Sequence, residues 1–315
     1  MDRLYKSFTT GIFLRMRSIQ VKKQSIKAGS RLAFFFVGPV QIVLTLIILI
    51  PILMTLVLSF QNYTYGKPAT FVGLKNYVQI FADRNFKRAL INNIVFVNLV
   101  VYGELLLGFG LAVFFKRKIA FKKFSIAIVM APYAVSTVLG ALMWRFLLEP
   151  DIGMLNGLLR TLSLGQLEWT TNPIHTFGVL IFLSIWLNVP FTFLTLYNSL
   201  LGVSTELFEA ARVDGASAGQ VFMYITLPSI MPAILISLMF RYIFAFRTFD
   251  IVWILIQGGP FRSTELLSIY LYRQAFSYFN FGIASAVAWI MVLVTILMGA
   301  YYFRVLYTRM FKNES

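Results

Sequence analysis

The feature that most constrains this chain is a series of apolar stretches, each about as long as a lipid bilayer is thick. A helix needs roughly 20 apolar residues to cross the hydrocarbon core, where only helices and closed barrels satisfy their own backbone. The stretches are continuous and do not alternate in ten-residue segments, which excludes a transmembrane barrel. We therefore predict six helical spans, at about residues 32–60, 94–115, 124–148, 176–203, 225–256 and 281–303.

Composition agrees with an all-α, polytopic membrane protein. Hydrophobic residues make up 59% of the 315 residues and charged residues only 13%, against about 45–50% and about 25% in soluble domains. The chain has no cysteine, which excludes disulfides, thiol nucleophiles and thiolate metal sites. Its single histidine, His175, leaves no material for a histidine-rich metal centre. Its expected solvent is the lipid bilayer.

The net charge of +16 lies mostly beside the apolar stretches, where Lys and Arg meet anionic headgroups, so we expect no nucleic acid. Seventeen Lys and Arg fall on one side of the predicted spans and eight on the other. The positive-inside rule then places both termini in the cytoplasm. The domains are a basic tail at 1–31, a transmembrane domain at 32–307 and a second tail at 308–315. The first tail lies along the inner leaflet or has a docking role.

The cytoplasmic loop between the fourth and fifth spans carries several helix-boundary signals. Ser204 or Thr205 can cap a first short helix, and Gly215 can end it because glycine accepts the left-handed conformation. Ser217 followed by Gln220 forms a capping box that begins a second helix. The loop is therefore predicted to form two short helices.

The second of these helices is predicted to be amphipathic. Ala218, Val221, Phe222 and Ile225 repeat at helical spacing and form an apolar face. Pro228 is expected to interrupt the run before the fifth span.

Small and charged residues dominate the first of these helices. Glu209, Arg212 and Asp214 offer charge pairs, and the alanines between them allow close approach of another backbone. Two interpretations remain open on composition: docking into a groove of another protein, or an ordinary interfacial segment lying among headgroups.

A resemblance to a known family bears on that choice. The loop has Glu-Ala-Ala at 209–211, then Gly215 after three residues, Ile225 after nine more and Leu-Pro at 227–228. This spacing resembles the EAA loop of binding-protein-dependent ABC importer permeases. Further stretches are similar to the sugar-importing branch, and in particular to the maltose-type first permease subunit; they are Phe71–Tyr77, Asp83–Phe86, Met143–Asn156, Gly258–Pro260, Tyr270–Phe276 and Gly282–Ala286.

The resemblance implies a type I ABC importer permease fold with six core helices. It further implies a second, different permease chain, two ATPase subunits that bind ATP and Mg, and an extracytoplasmic solute-binding protein. This chain would hold no cofactor and hydrolyse nothing, and it would form half of the pathway for a sugar or oligosaccharide. The residues expected to couple to the ATPases are Glu209, Ala210, Ala211, Arg212, Asp214, Gly215, Phe222, Ile225 and Pro228.

Sugar sites combine aromatic faces with hydrogen-bonding side chains, and two spans supply both. The candidate pathway residues are Asn188, Phe191, Tyr197 and Asn198 on span four, and Phe244, Arg247, Thr248 and Asp250 on span five. Because Arg247 and Asp250 are three residues apart, we expect them to share a helical face and to pair. If Arg247 faces the pathway, an acidic saccharide is a suitable substrate. Alternatively, Arg241 and Arg247 bind carbonyls or a partner helix.

Two other function classes compete. An ion-coupled secondary transporter or channel should carry ion-pathway carboxylates or broken helices in its spans; Glu104 and Asp250 are the acids available there. We expect Glu104 to be a structural partner within the bundle. An intramembrane enzyme would need a nucleophile–base pair. Glu149 and Asp151 could be paired carboxylates, although exposed acids at a membrane interface are commoner. No Gly-x-x-x-x-Gly-Lys-Ser/Thr loop occurs, so we expect energy to come from a partner.

Overall fold

The computed structural model describes residues 35–165, 168–259 and 262–311. The tail predicted over 1–31 lies outside the described residues, as do residues 312–315. The chain divides into two compact units, Met1–Val57 and Leu58–Ser315, and each is described by itself. In the first unit the described residues form the start of an apolar helix, α1, which spans Phe35–Ser59.

The second unit is almost entirely helical. Its long helices are α3 (Arg84–Lys116), α7 (Pro173–Leu201), α10 (Leu227–Phe246) and α13 (Phe281–Phe311). Shorter elements lie between them: β1 (Gln61–Asn62), β2 (Thr70–Phe71), α2 (Lys75–Ala82), α4 (Lys122–Ala134), α5 (Thr137–Leu147), α6 (Met154–Thr161), α8 (Thr205–Val213), α9 (Ala218–Val221), α11 (Asp250–Leu255) and α12 (Leu267–Tyr272).

The described residues contain five helices long and apolar enough to cross a membrane, or six if α4 and α5 form one broken span. The helices α3, α7, α10 and α13 pack side by side. Their buried side chains form one large apolar cluster, to which Phe96, Leu183, Tyr242 and Val287 belong. A second cluster around Phe193 fills the bundle near the end of α3.

The third span was predicted as one helix over 124–148, but the structure has two helices there. The helices α4 and α5 meet at an angle of 98°. Pro132 has no N–H to donate within the last turn of α4, and Val135 and Ser136 then take extended backbone. Ser is a favoured residue at the start of a helix, so α5 begins directly after Ser136. The break therefore lies where Pro132 is followed within four residues by the β-branched Val135 and by Ser136.

The fifth span also differs from its predicted bounds of 225–256. At the end predicted to be cytoplasmic, α9, a π turn at Phe222–Thr226 and α10 run on as one helix. At its outer end α10 stops at Phe246, and α11 starts only at Asp250. The Ser268 hydroxyl donates to the Thr248 carbonyl (2.5 Å) and so satisfies a backbone group that has left the helix.

Short elements cover the outer side of the second unit. β1 pairs with β2 in antiparallel register, and the Asn76 side chain of α2 donates to the carbonyls of Ser59 and Gln61 (2.9 and 2.8 Å). The N–H of Gly282 at the start of α13 donates to Tyr63 O (3.1 Å). These bonds fasten α2 and the strand pair to the outer end of α13.

Candidate functional site

The loop predicted to be cytoplasmic forms an elbow, Ser204–Pro228, whose first helix is capped at both ends. The Ser204 hydroxyl accepts from the N–H of Glu206 (3.2 Å) at the start of α8. At the other end Gly215 lies at φ +72°, in the left-handed region. Gly215 N–H donates to Arg212 O and Ala216 N–H donates to Ala211 O, which together form a Schellman motif. The predicted cap and stop of α8 are both confirmed.

The second half of the elbow begins with the predicted capping box. The Gln220 N–H donates to the Ser217 hydroxyl (3.3 Å), and the Gln220 side chain accepts from the Ser217 N–H (2.8 Å). Two backbone donors at the start of α9 are thereby satisfied reciprocally.

The prediction that Pro228 interrupts this run is wrong. The Leu227 N–H donates to Phe222 O, five residues back, so the hydrogen-bond register shifts by one residue just before the proline. The wider π turn accommodates a ring and a missing donor that an α-helical turn would not. As a result the elbow joins α10 without an intervening loop.

The face of the elbow that the resemblance singles out is open to solvent. The exposed residues are Glu209, Ala210, Arg212, Asp214, Gly215 and Pro228, whereas Phe222 and Ile225 are half-buried and Ala211 is buried. Val213 beside them is 88% exposed. The charged side chains of α8 are therefore accessible to a partner.

Two aromatic contacts that the sequence did not predict attach the elbow to α3. The Lys116 ammonium lies 4.0 Å from the centre of the Phe208 ring. The Phe222 ring lies 5.8 Å from the ring of Phe109. Phe208 directly precedes the Glu-Ala-Ala sequence and Lys116 ends the apolar stretch of α3, but the pairing of residues so distant in sequence has no local signal.

The candidate pathway residues divide into three levels along α7 and α10. Where the two helices cross, the Ser237 hydroxyl donates to the Thr192 hydroxyl (3.4 Å). Tyr197 lies five residues from Thr192 toward the elbow, about 8 Å along the axis of α7. Arg247 lies ten residues from Ser237 in the opposite direction, about 15 Å along the axis of α10. These two ends are too far apart to contact one small ligand together.

At the middle level Phe191 contacts Phe240, with ring centres 6.5 Å apart. Asn188 is half-buried and donates to Ser184 O of its own helix (2.8 Å). On the cytoplasmic side the Tyr197 ring stacks on Phe193 at 5.5 Å, and Asn198 is exposed.

At the outer level Arg247 is exposed, and its guanidinium lies 5.9 Å from the centre of the Phe244 ring. The prediction that Arg247 and Asp250 share a helical face is wrong, because α10 ends at Phe246 and Asp250 opens a new helix. Phe244 is 54% exposed, Asp250 is exposed and Thr248 is half-buried.

A buried ion pair joins α3 to α10. The Arg241 Nη2 donates to Glu104 Oε1 (2.7 Å), and Arg241 Nε donates to Glu104 Oε2. Both side chains are buried, at 8% and 0% exposure. The prediction that Glu104 is a structural partner is confirmed. The sequence did not indicate that Arg241 is its partner, because the two residues lie 137 positions apart and share no local spacing.

The outer end holds a second charged cluster that sequence reasoning missed. Glu265 is buried between Arg262 and Arg273, with N–O distances of 3.6 and 3.5 Å. Burial raises the pKa of the Glu265 carboxyl; Arg262 and Arg273 oppose this increase, and Asp83 adds to it. The Tyr270 hydroxyl donates to Asp83 (2.6 Å), and burial together with that bond raises the pKa of Tyr270.

The acids and the histidine considered for enzymatic or metal roles lie as follows in the described ranges. Groups of three His, Asp or Glu residues close enough to hold a metal ion are absent there. Glu149 is half-buried and Asp151 is exposed. His175 lies in the first turn of α7, where its N–H donates to the Asn172 side chain (3.4 Å).

Comparison of the whole fold with solved structures shows its class. The chain superposes on a subunit of a bacterial ABC transporter involved in the import of the acidic polysaccharide alginate with a TM-score of 0.77 and 23% identity, covering 87% of this chain and 95% of that one. It also matches a chain of the MetNI methionine ABC transporter, with a TM-score of 0.53 and 14% identity, covering 75% of this chain and 98% of that one. The fold is that of a type I ABC importer permease.

Comparison of sequences identifies the family. The trehalose/maltose transport system permease protein MalF of Thermococcus litoralis is 31% identical over 82% of this chain and 88% of its own length. The sulfoquinovosyl glycerol transport system permease protein SmoG of Agrobacterium fabrum is 31% identical over 89% of this chain and 92% of its own. Residues 104–312 match the family described as binding-protein-dependent transport system inner membrane component. This chain is a multi-pass membrane protein and belongs to that family.

Proposed function

We propose that this chain forms half of the translocation pathway of an ATP-driven importer and is coupled through its elbow to ATPase subunits. The observation that carries the proposal is the elbow itself. It presents Glu209, Arg212 and Asp214 to solvent on a helix closed at both ends, and it continues without a loop into α10. A partner that binds α8 would therefore act on a span through the short turn at 214–217 and α9.

Sugars are the proposed substrate class. The relatives named for trehalose and maltose and for sulfoquinovosyl glycerol support it, as does the alginate importer of the same fold. Within this chain, half-buried or exposed aromatic side chains lie beside polar groups at the outer level, as Phe244 does beside Arg247. Such mixed surfaces suit saccharides, which carry apolar C–H faces and polar rims.

The complete complex is proposed to contain four kinds of subunit. A second, different permease chain would complete the pathway, two ATPases would bind ATP and Mg, and an extracytoplasmic solute-binding protein would deliver the sugar. This chain would hydrolyse nothing itself and hold no cofactor or metal. Both termini and the elbow would lie in the cytoplasm, as the excess of Lys and Arg on that side supports.

Alternating access is the proposed mechanism. Closure of the ATPases on ATP would move α8, and this movement would tilt α10 because α8 is joined to it through the turn at 214–217, α9 and the π turn at 222–226. The pathway would then close toward the cytoplasm and open outward to receive sugar from the binding protein. The aromatic contacts of Phe208 and Phe222 would pass part of the movement to α3.

An ion-coupled secondary transporter is the second candidate. It would need a titratable carboxylate with access to an ion pathway. Glu104 is the single acid within the long helices α3, α7, α10 and α13 as described, and Arg241 holds both its oxygens. This arrangement favours the ATP-coupled proposal.

Co-purification tests the proposal directly. The chain is co-expressed with the ATPase subunits of its complex and isolated from membranes. Wild type and Glu206→Ala, which alters an exposed residue of the same helix, should retain the ATPase. Gly215→Pro should lose it, because proline cannot adopt the φ of +72° observed there. An ion gradient that drives uptake into liposomes containing this chain alone would contradict the proposal.

Substrate charge is tested at Arg247. In the reconstituted importer, Arg247→Gln should reduce uptake of a uronate-containing oligosaccharide about tenfold relative to a neutral one if the guanidinium binds an acidic substrate. Equal loss for both sugars, or no loss, would exclude charge recognition by this residue.

A further inference from the structure

Four aromatic rings form a continuous cluster at the outer end of the bundle, in which three contact one another and the fourth contacts Tyr272. The ring centres of Phe249 and Trp253 are 5.9 Å apart, and those of Trp253 and Tyr272 are 4.4 Å apart. Tyr272 lies 5.2 Å from Phe249 and 4.9 Å from Phe276. We call these four side chains the aromatic ladder. Two segments of the chain contribute to it, on either side of the Gly258-Gly259 turn.

Local backbone geometry aligns the rings. Phe249 and Trp253 are one helical turn apart at the start of α11, and their planes differ by 14°. Tyr272 and Phe276 are also four residues apart, but a π turn at Arg273–Ser277 lies between them. A π turn holds more residues than an α-helical turn and often occurs at functional sites. It brings the ring of Phe276 back above that of Tyr272.

The surroundings of the aromatic ladder are polar. Arg247 and Asp250, which flank Phe249 in sequence, are both exposed, and an unpaired charge facing lipid would be expensive. At the end of α11, Leu255 and Ile256 line an open cavity of about 310 Å³ with Arg145, Trp169, Thr170, Gln257 and Gly259. The region around α11 is therefore polar on two sides.

The exposure of the rings is intermediate. Phe249, Trp253 and Tyr272 are half-buried, and Phe276 is 60% exposed. Fully buried rings would serve packing alone, whereas rings that border water present faces to a ligand. Aromatic faces carry negative potential and attract the positively polarised C–H groups of a pyranose ring, whose hydroxyls can stay in water.

We propose that the aromatic ladder is a saccharide-binding subsite at the outer mouth of the pathway, which receives a pyranose unit before it reaches the level of Phe244 and Arg247. The bond from the Ser268 hydroxyl to Thr248 O fixes α12 to the turn after α10, so the ladder continues the outer level of the candidate pathway. This inference rests on the proposed transport of sugars and adds the place where the sugar first binds this chain.

The test measures saccharide delivered per ATP hydrolysed. The complete complex is reconstituted in proteoliposomes, and its binding protein is loaded in turn with trehalose, maltotriose or an alginate trisaccharide. Trp253→Ala and Tyr272→Ala should each lower the delivered saccharide about three- to tenfold at equal ATP hydrolysis, because a sugar that is not held at the mouth returns to the outside. Trisaccharides should lose more than trehalose, because they cover more rings.

Conservative variants and a matched control separate this role from folding. Trp253→Phe and Tyr272→Phe keep a ring and should restore most of the delivery. Phe279→Ala removes an aromatic side chain of similar exposure that contacts Tyr65 outside the ladder, and it should leave the ratio unchanged. An unchanged ratio in both alanine variants, or an equal decrease in Phe279→Ala, would overturn the inference and leave sugar transport intact. Absence of uptake of all three saccharides by the wild type would overturn the proposed sugar transport as well.

Discussion

The two ends of α10 are stabilised in different ways. At the cytoplasmic end the elbow is closed by hydrogen bonds between residues at most five positions apart, such as Gln220 to Ser217 and Ala216 to Ala211. At the outer end the bonds join residues 109 to 187 positions apart, from Arg145 to Ile254, from Asn92 to Ser263 and from Tyr270 to Asp83.

This difference separates two kinds of role. A segment that holds its own shape can be moved as a unit by a partner. A segment tied to distant helices keeps its side chains in fixed positions relative to those helices, which suits a binding surface. The local bonds of the elbow agree with its proposed role in transmitting movement, and the long-range bonds of the outer segment agree with its proposed role in binding.

The largest expected effect tests a contact between residues that are distant in sequence. Glu104→Ala should lower the free energy of unfolding by about 3–5 kcal/mol, because it leaves the Arg241 guanidinium buried without its partner. Thermal unfolding of the purified protein in detergent measures this loss. Asp151→Ala, at an exposed acid, should change it little.

The paired variant Glu104→Met with Arg241→Met sharpens the result. Replacing both charges removes the uncompensated one, so most of the lost stability should return. A double variant as unstable as Glu104→Ala would show that the methionines do not pack in place of the pair.

The next effect belongs to the elbow. Gly215→Ala should raise the free energy of the folded elbow by about 1–2 kcal/mol, because a residue with a side chain is strained at φ +72°. Retention of the ATPase on co-purification should fall roughly tenfold, while the unfolding temperature of the bundle stays the same. Gly219→Ala is the matched control: it lies in the helical part of the elbow with open space around it, and it should bind the ATPase as wild type does.

A smaller effect is expected at the capping box. Ser217→Ala should destabilise the start of α9 by about 1 kcal/mol, because the Gln220 N–H loses its acceptor. Hydrogen exchange at the amides of residues 218–221 measures the change. Thr205→Ala, at an exposed position of α8, should leave these amides unaffected. Faster exchange in the outer segment of Ser217→Ala would contradict the separation of the two ends.

The smallest effect concerns pH. Since the pKa of Glu265 is raised in the folded protein, the folded state binds this proton more tightly than the unfolded state does. The resulting stability is full below the ordinary carboxyl pKa and is lost as the pH rises through the raised value. In Glu265→Gln the unfolding temperature should vary less between about pH 4 and neutral pH. An identical pH dependence in wild type and variant would exclude this contribution.

Local signals in the sequence predicted the elbow well. Ser204, Gly215 and the Ser217–Gln220 box all occupy the positions expected of them, because caps and stops depend on neighbouring residues. Apolar length predicted the helices that cross the membrane, since a bilayer imposes the same requirement everywhere. The π turn before Pro228 was not predicted. A proline within a helical pattern predicts a break, and the sequence does not show that a shift in hydrogen-bond register accommodates it.

The outer segment was predicted poorly for a physical reason. The break after Phe246 depends on a hydroxyl from Ser268, and the partner of Glu104 lies 137 positions away. Residues that meet only in the folded bundle carry no spacing that a sequence pattern can show. The aromatic ladder was hidden for the same reason, because its two halves come from segments separated by the Gly258-Gly259 turn.

The continuous course of α9 and α10 through the π turn has a mechanical consequence. As a single rod over residues 218–246, it is about 43 Å long. A rotation of about 6° at its cytoplasmic end would displace its far end by about 4 Å, close to the width of a sugar ring. Under the proposed mechanism, a small rotation at the elbow would therefore become a larger displacement at Phe246, next to Arg247 and Phe249.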